Sequence, residues 1–480
     1  MFKTSLIYFL IRAINGVLAL ATIYTLTRLL SAEQYGLYAL GMAGIGLCGS
    51  VFFQWIAVAV SRFYATHVAE PDVLLTEAYR LFFRIAIVGL ALTAIYAVWS
   101  PAPAVTPLLT LAIGVGAIAM GSHSMGLQVA NARGLPVSFG LLTASRGAFA
   151  LAAAVAFVLA GFGGAGAVFG VALACVLSVT FFGARRQTKV RHNSPELRHQ
   201  MIVYGLPLTL TYLATMVLDV SDRFMIGWWL GTPAVAGYAA AYDLTQQVVG
   251  ALMNVLFLAA YPRVVAAWEA GGATAASQAM LPLSRAMLLG APLITGIFIG
   301  WTSDISQIVF GEAVRSDAAQ IMPWVAFAIA VGCLKSYFLD IAFQLAKVTH
   351  MQVRITVVMA ALNVVLNLLL MPNFGVLGAA MATAVAFSIG AILSWLFGRR
   401  FGIYPARVRD VISMLFAMLA IVMAMYTSPT NTYGIIFDAV LRLLVGLAAY
   451  VAIVSITDLA GARSSLILKL FQVFKKIHHE

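Results

Sequence analysis

The stretch YGLPLTLTYLATMVLDVSDRFMIGWWLGTPAVAGYAAAY, from Tyr204 to Tyr242, is a long apolar run that nevertheless carries Asp219, Asp222 and Arg223. A charged side chain near the centre of a bilayer costs roughly 2.5–3.5 kcal/mol on insertion scales. Such groups therefore face a water-filled cavity or a partner inside a helix bundle. The stretch also opens the second of two similar halves, and the plan of the chain follows from it.

Composition agrees with a membrane reading. Of 480 residues, 62% are hydrophobic and only 10% charged, against about 25% charged in an ordinary soluble domain. Mean hydropathy is +0.97. At about 20 apolar residues per crossing, the chain has room for about 12 to 14 helices and no soluble catalytic domain. The fold class expected is an all-α polytopic membrane protein. Crossings are read at about 5–28, 36–62, 80–99, 105–131, 137–160, 163–183, 203–229, 234–261, 281–302, 318–346, 353–372, 375–397, 410–427 and 434–457, which makes fourteen. SPAP, GFGG, GTP, MPNFG and SPTN mark turns between them. The N-terminus reads as a first crossing rather than a removable signal peptide. Cys48, Cys175 and Cys333 are scattered through apolar runs, which predicts packing rather than a disulfide or a metal site.

Lys and Arg set the orientation. Arg185, Arg186, Lys189, Arg191 and Arg198 share one loop and Arg399, Arg400, Arg407 and Arg409 another, whereas only Arg28 and Arg315 fall at the opposite face. By the positive-inside rule both termini are cytoplasmic, and topology explains the net charge of +12. These loops are too short and dispersed for a nucleic-acid surface. The outward loops are short as well, which leaves no room for the external catalytic domain of a membrane glycosyltransferase or polymerase. GxxxxGK[ST], HExxH and GxSxG are all missing, so the chain is read as not an enzyme.

An internal repeat is visible. FGGAGA at 162–167 recurs as FGVLGA at 374–379, and LLSAEQYGLYAL from Leu29 is echoed by WLGTPAVAGYAAA from Trp229. An even number of crossings per repeat gives both halves the same orientation, related by an axis along the membrane normal. The expected organisation is a six-helix lobe at 1–183, a basic cytoplasmic linker at 184–202, a second six-helix lobe at 203–397, helices 13 and 14 at 398–458, and a tail at 459–480. Leu466, Leu470, Phe474 and Ile477 give that tail an amphipathic face for the anionic cytoplasmic leaflet.

Depth along the helices selects the candidate site. Arg12, Arg146 and Lys335 lie in the inner half or near the middle, with Asp340 on the same helix as Lys335. Asp219, Asp222, Arg223 and Asp243 lie near the middle or in the outer half. Asp219 with Arg223, and Asp438 with Arg442, are spaced to pair along one helix face. A positive inner cavity of Arg12, Arg146 and Lys335 suits phosphate groups, because guanidinium donors match phosphate oxygens. The carboxylates Asp219, Asp222, Asp243 and Asp340 suit either pairing or coupling to H+ or Na+. Snorkelling of the arginines to the interface is the competing explanation. Asn15, Gln54, Gln246, Gln247, Asn363 and Asn367 either line a path for sugar hydroxyls or bond between helices. His123 is the one histidine inside a crossing and reads as a packing residue. Pro207 and Pro292 mark points of bending.

LTRLLSAEQYGLYAL at 26–40 and LDVSDRFMIGWWLGTPAVAGYAAAYD from Leu218 resemble the polysaccharide transporters of the multidrug/oligosaccharidyl-lipid/polysaccharide superfamily, which flip lipid-linked O-antigen and exopolysaccharide repeat units. The resemblance runs from Met1 to about Asp458. It implies two six-helix lobes with a cationic cavity, and helices 13 and 14 forming a lipid-facing groove. It implies an undecaprenyl-diphosphate oligosaccharide passing from the inner to the outer leaflet of a bacterial cytoplasmic (inner) membrane, without a cofactor. A polysaccharide polymerase and chain-length or export proteins are the partners it suggests. The rivals are an ion-coupled drug or metabolite antiporter of the same superfamily, which would use Asp222 and Asp243, and a membrane-embedded polymerase or ligase.

Overall fold

The computed structural model describes residues 2–64, 66–67, 71–99, 106–183, 194–405, 408–428 and 434–459. Of the basic linker expected at 184–202, residues 184–193 lie outside the described residues while 195–202 are helical; the tail from 460 also lies outside them, as do the side chains of residues 2–10, Arg12, Val408 and Ile435. Helices and turns account for the described residues, with no strand among them.

Ten stretches are long and apolar enough to cross a membrane, and 13–29 is a shorter apolar helix. Three of the ten are Pro136–Phe182, Thr232–Gly300 and Thr349–Phe401, at 47, 69 and 53 residues. As unbroken helices they would run for about 70 to 100 Å, against about 30 Å of hydrocarbon. Each is broken by glycine outside helical geometry, at Gly161, at Gly271–Gly272 and at Gly375. Counting their arms separately, the described residues hold fourteen apolar helices, in the order read from the sequence. These are α1 (Phe2–Leu29), α2 (Ala32–Tyr64), α3 (Pro71–Trp99), α4 (Pro107–Ala132), α5 (Pro136–Phe157), α6 (Gly163–Phe182), α7 (Pro195–Trp229), α8 (232–270), α9 (273–300), α10 (Glu312–Leu345), α11 (349–374), α12 (376–398), α13 (Val408–Tyr426) and α14 (Ile435–Thr457). A short helix, Thr302–Val309, precedes α10. The stretch between the crossings expected at 234–261 and 281–302 is not a loop, because helix continues on both sides of Gly271–Gly272.

The chain divides into two compact units. The first is Met1–Ala240 with Gly311–Val314 and Asn367–Val376; the second is Ala241–Phe310, Arg315–Leu366 and Leu377–Glu480. These limits do not follow the lobe boundaries expected from the repeat, because α7 and the start of α8 belong with the first six helices.

In the first unit, small residues let helices approach closely, the usual device where lipid removes the hydrophobic drive between helices. Gly140 lies against Ile11, Gly147 against Leu18 and Asn15, and Gly170 against the backbone of Ala153 and Ala154. The two repeat motifs meet here. Gly164 N donates to Gln34 Oε1 at 2.8 Å, so the YGLY turn and the FGGAGA turn are one structure. Phe53, Trp55, Leu74, Phe82, Met125 and Met201 form a core that α7 enters through its first three turns. Glu77 of α3 fixes that entry: fully buried, it accepts from Ser194 N at 3.1 Å and lies 2.6 Å from Arg80 Nη1 and 3.6 Å from Arg198 Nη1. α7 then breaks at Leu206 and Pro207, between Pro195–Gly205 and Leu208–Trp229. Trp99 and Trp228 stand exposed at the ends of α3 and α7, where amphipathic rings meet a bilayer's interface.

In the second unit, α13 and α14 pack on α9. Ile421, Met425, Tyr450 and Val454 form their shared core with Leu289 and Leu293, Gly296 admits Ile421, and Tyr450 OH donates to Leu289 O at 2.5 Å. α11 and α12 fold back on each other about Gly375: Asn363 Nδ2 donates to Thr383 Oγ1 at 3.2 Å and Gly390 faces Met359. Pro292 sits inside an unbroken stretch of α9.

Candidate functional site

The polar residues singled out from the sequence fall into two groups, one in each unit.

In the first unit, Arg146 is eleven residues into α5, about 15 Å along the helix and well inside a hydrocarbon core. It is half-buried and, among the described residues, makes no salt bridge. Its guanidinium is close enough to His123 of α4 and to Cys175 of α6 to act on both electrostatically. The His123 ring bonds Leu142 O at 3.2 Å, which supports the packing role expected for it. The next residue, Gly147, touches Asn15 of α1. A cation at this depth, with no salt bridge among the described residues and neutral polar neighbours on three helices, is able to bind an anion. Arg12 belongs to α1, but its side chain lies outside the described residues.

Asp222 of α7 is 2% exposed. It accepts from Tyr238 OH at 2.5 Å and from Asn367 Nδ2 at 2.6 Å, so both its oxygens are engaged by neutral donors. Arg223 is buried beside it, and Asp219, one turn earlier, lies in the electrostatic field of both. Asn367 and Asn363 thus bond between helices, to Asp222 and to Thr383 respectively.

In the second unit, Lys335 and Asp340 of α10 form a buried ion pair with Nζ 2.8 Å from Oδ2. Ser394 Oγ of α12 donates to Asp340 Oδ1 at 2.7 Å. This pairing was not legible from helical spacing, because residues five apart do not share an α-helix face. A π turn over Lys335–Leu339, closed by Asp340 N donating to Lys335 O at 2.8 Å, brings them together. Gln54, Gln246 and Gln247 also sit in π turns, Ser50–Gln54 and Gln246–Gly250. Such turns interrupt the regular ladder and often accompany functional positions. Asp243 is half-buried in α8. Arg442 was expected to pair with Asp438 one turn back; its Nη2 reaches Asp304 of the short helix at 3.0 Å, and Asp438 is close enough to act on Asp304 electrostatically.

Fold and site together describe a multi-pass membrane protein. The fold is similar to that of the lipid II flippase MurJ in its inward closed conformation, with a TM-score of 0.76 at 13% identity over 95% of this chain and 98% of that one. It is also similar to an inward-facing multidrug resistance MATE family transporter of the MOP superfamily, with a TM-score of 0.57 at 16% identity over 82% and 97% of the two chains. At these identities the likeness is one of fold. Residues 1–268 match the polysaccharide biosynthesis protein family, and the chain belongs to that family.

Two curated relatives carry transport names. The chain is 27% identical over 177 residues to the probable low-salt glycan biosynthesis flippase Agl15 of Haloferax volcanii, covering 36% of each chain. It is 25% identical over 177 residues to the probable flippase AglR of the same organism, again covering 36% of each. The matched region therefore spans little more than a third of either relative.

Proposed function

We propose that this protein is a flippase that moves an undecaprenyl-diphosphate-linked oligosaccharide repeat unit from the cytoplasmic to the periplasmic leaflet of a bacterial inner membrane, with both termini cytoplasmic. The observation that carries this reading is Arg146, a cation deep in α5 with no acidic partner among the described residues. A guanidinium in that position matches the oxygens of a diphosphate and has no evident packing purpose. Arg12 is the second cation proposed for the headgroup. The family membership, the glycan biosynthesis flippase name of one relative and the flippase name of another support the cargo class. Asp222 and Asp219 are the proposed coupling carboxylates, for H+ or Na+. A polysaccharide polymerase would consume the translocated unit.

Equilibrium binding of a fluorescent undecaprenyl-diphosphate oligosaccharide to the purified protein tests the assignment of Arg146. Arg146→Ala should weaken binding at least about tenfold, since a charge-assisted bond contributes roughly 1.5–3 kcal/mol, and Arg146→Lys should recover part of it. Equal affinity in all three proteins would remove Arg146 from the site.

A further inference from the structure

Lys335 and Asp340 would stand about 140° apart around a regular α-helix; the π turn places them on one face. Lys335 is 3% exposed and Asp340 fully buried. Their bonding is unequal. Asp340 uses both oxygens, on Lys335 Nζ and Ser394 Oγ. Lys335 carries three N–H donors, and among the described residues its one acceptor is Asp340 Oδ2. A buried ammonium with two donors unspent is costly to leave so, and its chemistry calls for a further anionic acceptor.

The neighbours that meet this pair through Ser394, Tyr404 and Phe257 carry no charge. Ser394 faces Asp340 from α12. Tyr404, in the segment after α12, donates its hydroxyl to Leu339 O at 2.6 Å, and burial together with the Asp340 carboxylate pushes its phenol further up, so it stays neutral. α8 meets the π turn through Phe257 stacked on Tyr337 at 5.3 Å, an apolar contact.

We propose that Lys335 and Asp340 form an exchangeable anion site worked by one proton, in which a phosphate oxygen of a sugar-diphosphate headgroup replaces Asp340 on the Lys335 ammonium. This rests on the flippase reading and adds to it how binding is linked to protons. Asp340 takes up one proton from the bulk solvent and becomes a neutral acid that keeps its bond to Ser394. The Nζ···Oδ2 ion pair breaks and an Nζ···phosphate pair forms, with no covalent change. One cation faces one anion before and after, so the buried site never carries an uncompensated charge. Lys335 has the four-carbon stem that such an exchange needs.

The test uses the full chain in lipid nanodiscs and uridine diphosphate N-acetylglucosamine, whose diphosphate diester stays ionised near neutral pH. Calorimetry in two buffers of different ionisation enthalpy reads the protons taken up on binding. The wild type should bind with net proton uptake, and Asp340→Asn should bind without it. Lys335→Met should weaken binding by about tenfold or more, as loss of one charged contact predicts. The double variant Lys335→Met with Asp340→Leu removes both charges and guards against misfolding of the single ones; it should lose binding and uptake together. Uptake of wild-type size in Asp340→Asn, or wild-type affinity in Lys335→Met, would overturn the proposal. Probe binding with uptake in a protein that moves no lipid-linked oligosaccharide would keep this site and remove the cargo reading. Movement of that lipid without uptake would do the reverse.

Discussion

Asp222 of α7 accepts a 2.6 Å hydrogen bond from Nδ2 of Asn367, 145 residues further along the chain, and a 2.5 Å bond from Tyr238 OH. These two donors help to make a buried carboxylate tolerable. Tyr238→Phe removes one of them, and bonds to charged groups contribute about 1.5–3 kcal/mol. Thermal unfolding in detergent should therefore show a lower melting temperature for Tyr238→Phe, and a still lower one for Asp222→Ala, which strands both donors. Unchanged melting in both variants would mean the network is not holding α7.

Two glycines of α2 make an internal comparison. A Cβ on Gly36 would strike the backbone carbonyl of Thr232, whereas one on Gly46 would meet nothing within 4 Å. Replacing a helix-interior glycine by alanine where the methyl has room stabilises by about 0.8–1.0 kcal/mol. Gly46→Ala should raise the melting temperature and Gly36→Ala should lower it. The same sign for both would contradict the close contact at Gly36.

Gly163 and Gly375 occupy matching places in the two repeats, with φ/ψ of 56°/−146° and 57°/−137°. Positive φ with strongly negative ψ is backbone open essentially to glycine alone, and costs a residue with a Cβ about 1–3 kcal/mol. Gly375→Ala bears that cost alone, since nothing lies within 4 Å, while Gly163→Ala also meets Gln34 Oε1. Melting should fall in both and further in Gly163→Ala. If Gly375→Ala falls further, the contact with Gln34 is not a constraint.

Much of the fold was legible because the repeat and the turn chemistry are local. FGGAGA and FGVLGA announced two equivalent turns, and the glycines that open them share one conformation. The partners of the charged groups were not legible from helical spacing where they come from another helix or from an altered helical phase. Lys335 meets Asp340 because a π turn alters the helical phase, which composition does not signal. Arg442 reaches Asp304 and Asn367 reaches Asp222 across 138 and 145 residues of chain, contacts that depend on tertiary packing. Arg146 was legible from depth alone, because an arginine that far into an apolar run is costly wherever it points.

The Arg442–Asp304 pair should show itself through pH. Burial pushes the Asp304 carboxyl above its ordinary value, Arg442 and a backbone bond pull it back, and Asp438 pushes it up again. Its folded-state value is thus raised, so its contribution to stability is complete below the ordinary carboxylate value and is lost as pH rises through the raised one. Arg442→Met removes the pull and should melt below the wild type by a margin that widens from about pH 4 upward, since stranding a buried charge costs about 3–5 kcal/mol. A margin constant with pH would show that Arg442 acts through packing alone.

The central claim is translocation of a diphosphate-linked oligosaccharide, and headgroup accessibility in proteoliposomes measures it most directly. Labelled undecaprenyl-diphosphate oligosaccharide is placed in liposomes with the purified chain, and an enzyme added outside reads how fast inner-leaflet headgroups arrive. The account predicts movement that requires the protein and slows at least about tenfold in Arg146→Ala, the loss of one charged contact. No movement under an imposed proton or sodium gradient, together with efflux of a cationic dye by the same preparation, would contradict it and identify an antiporter instead.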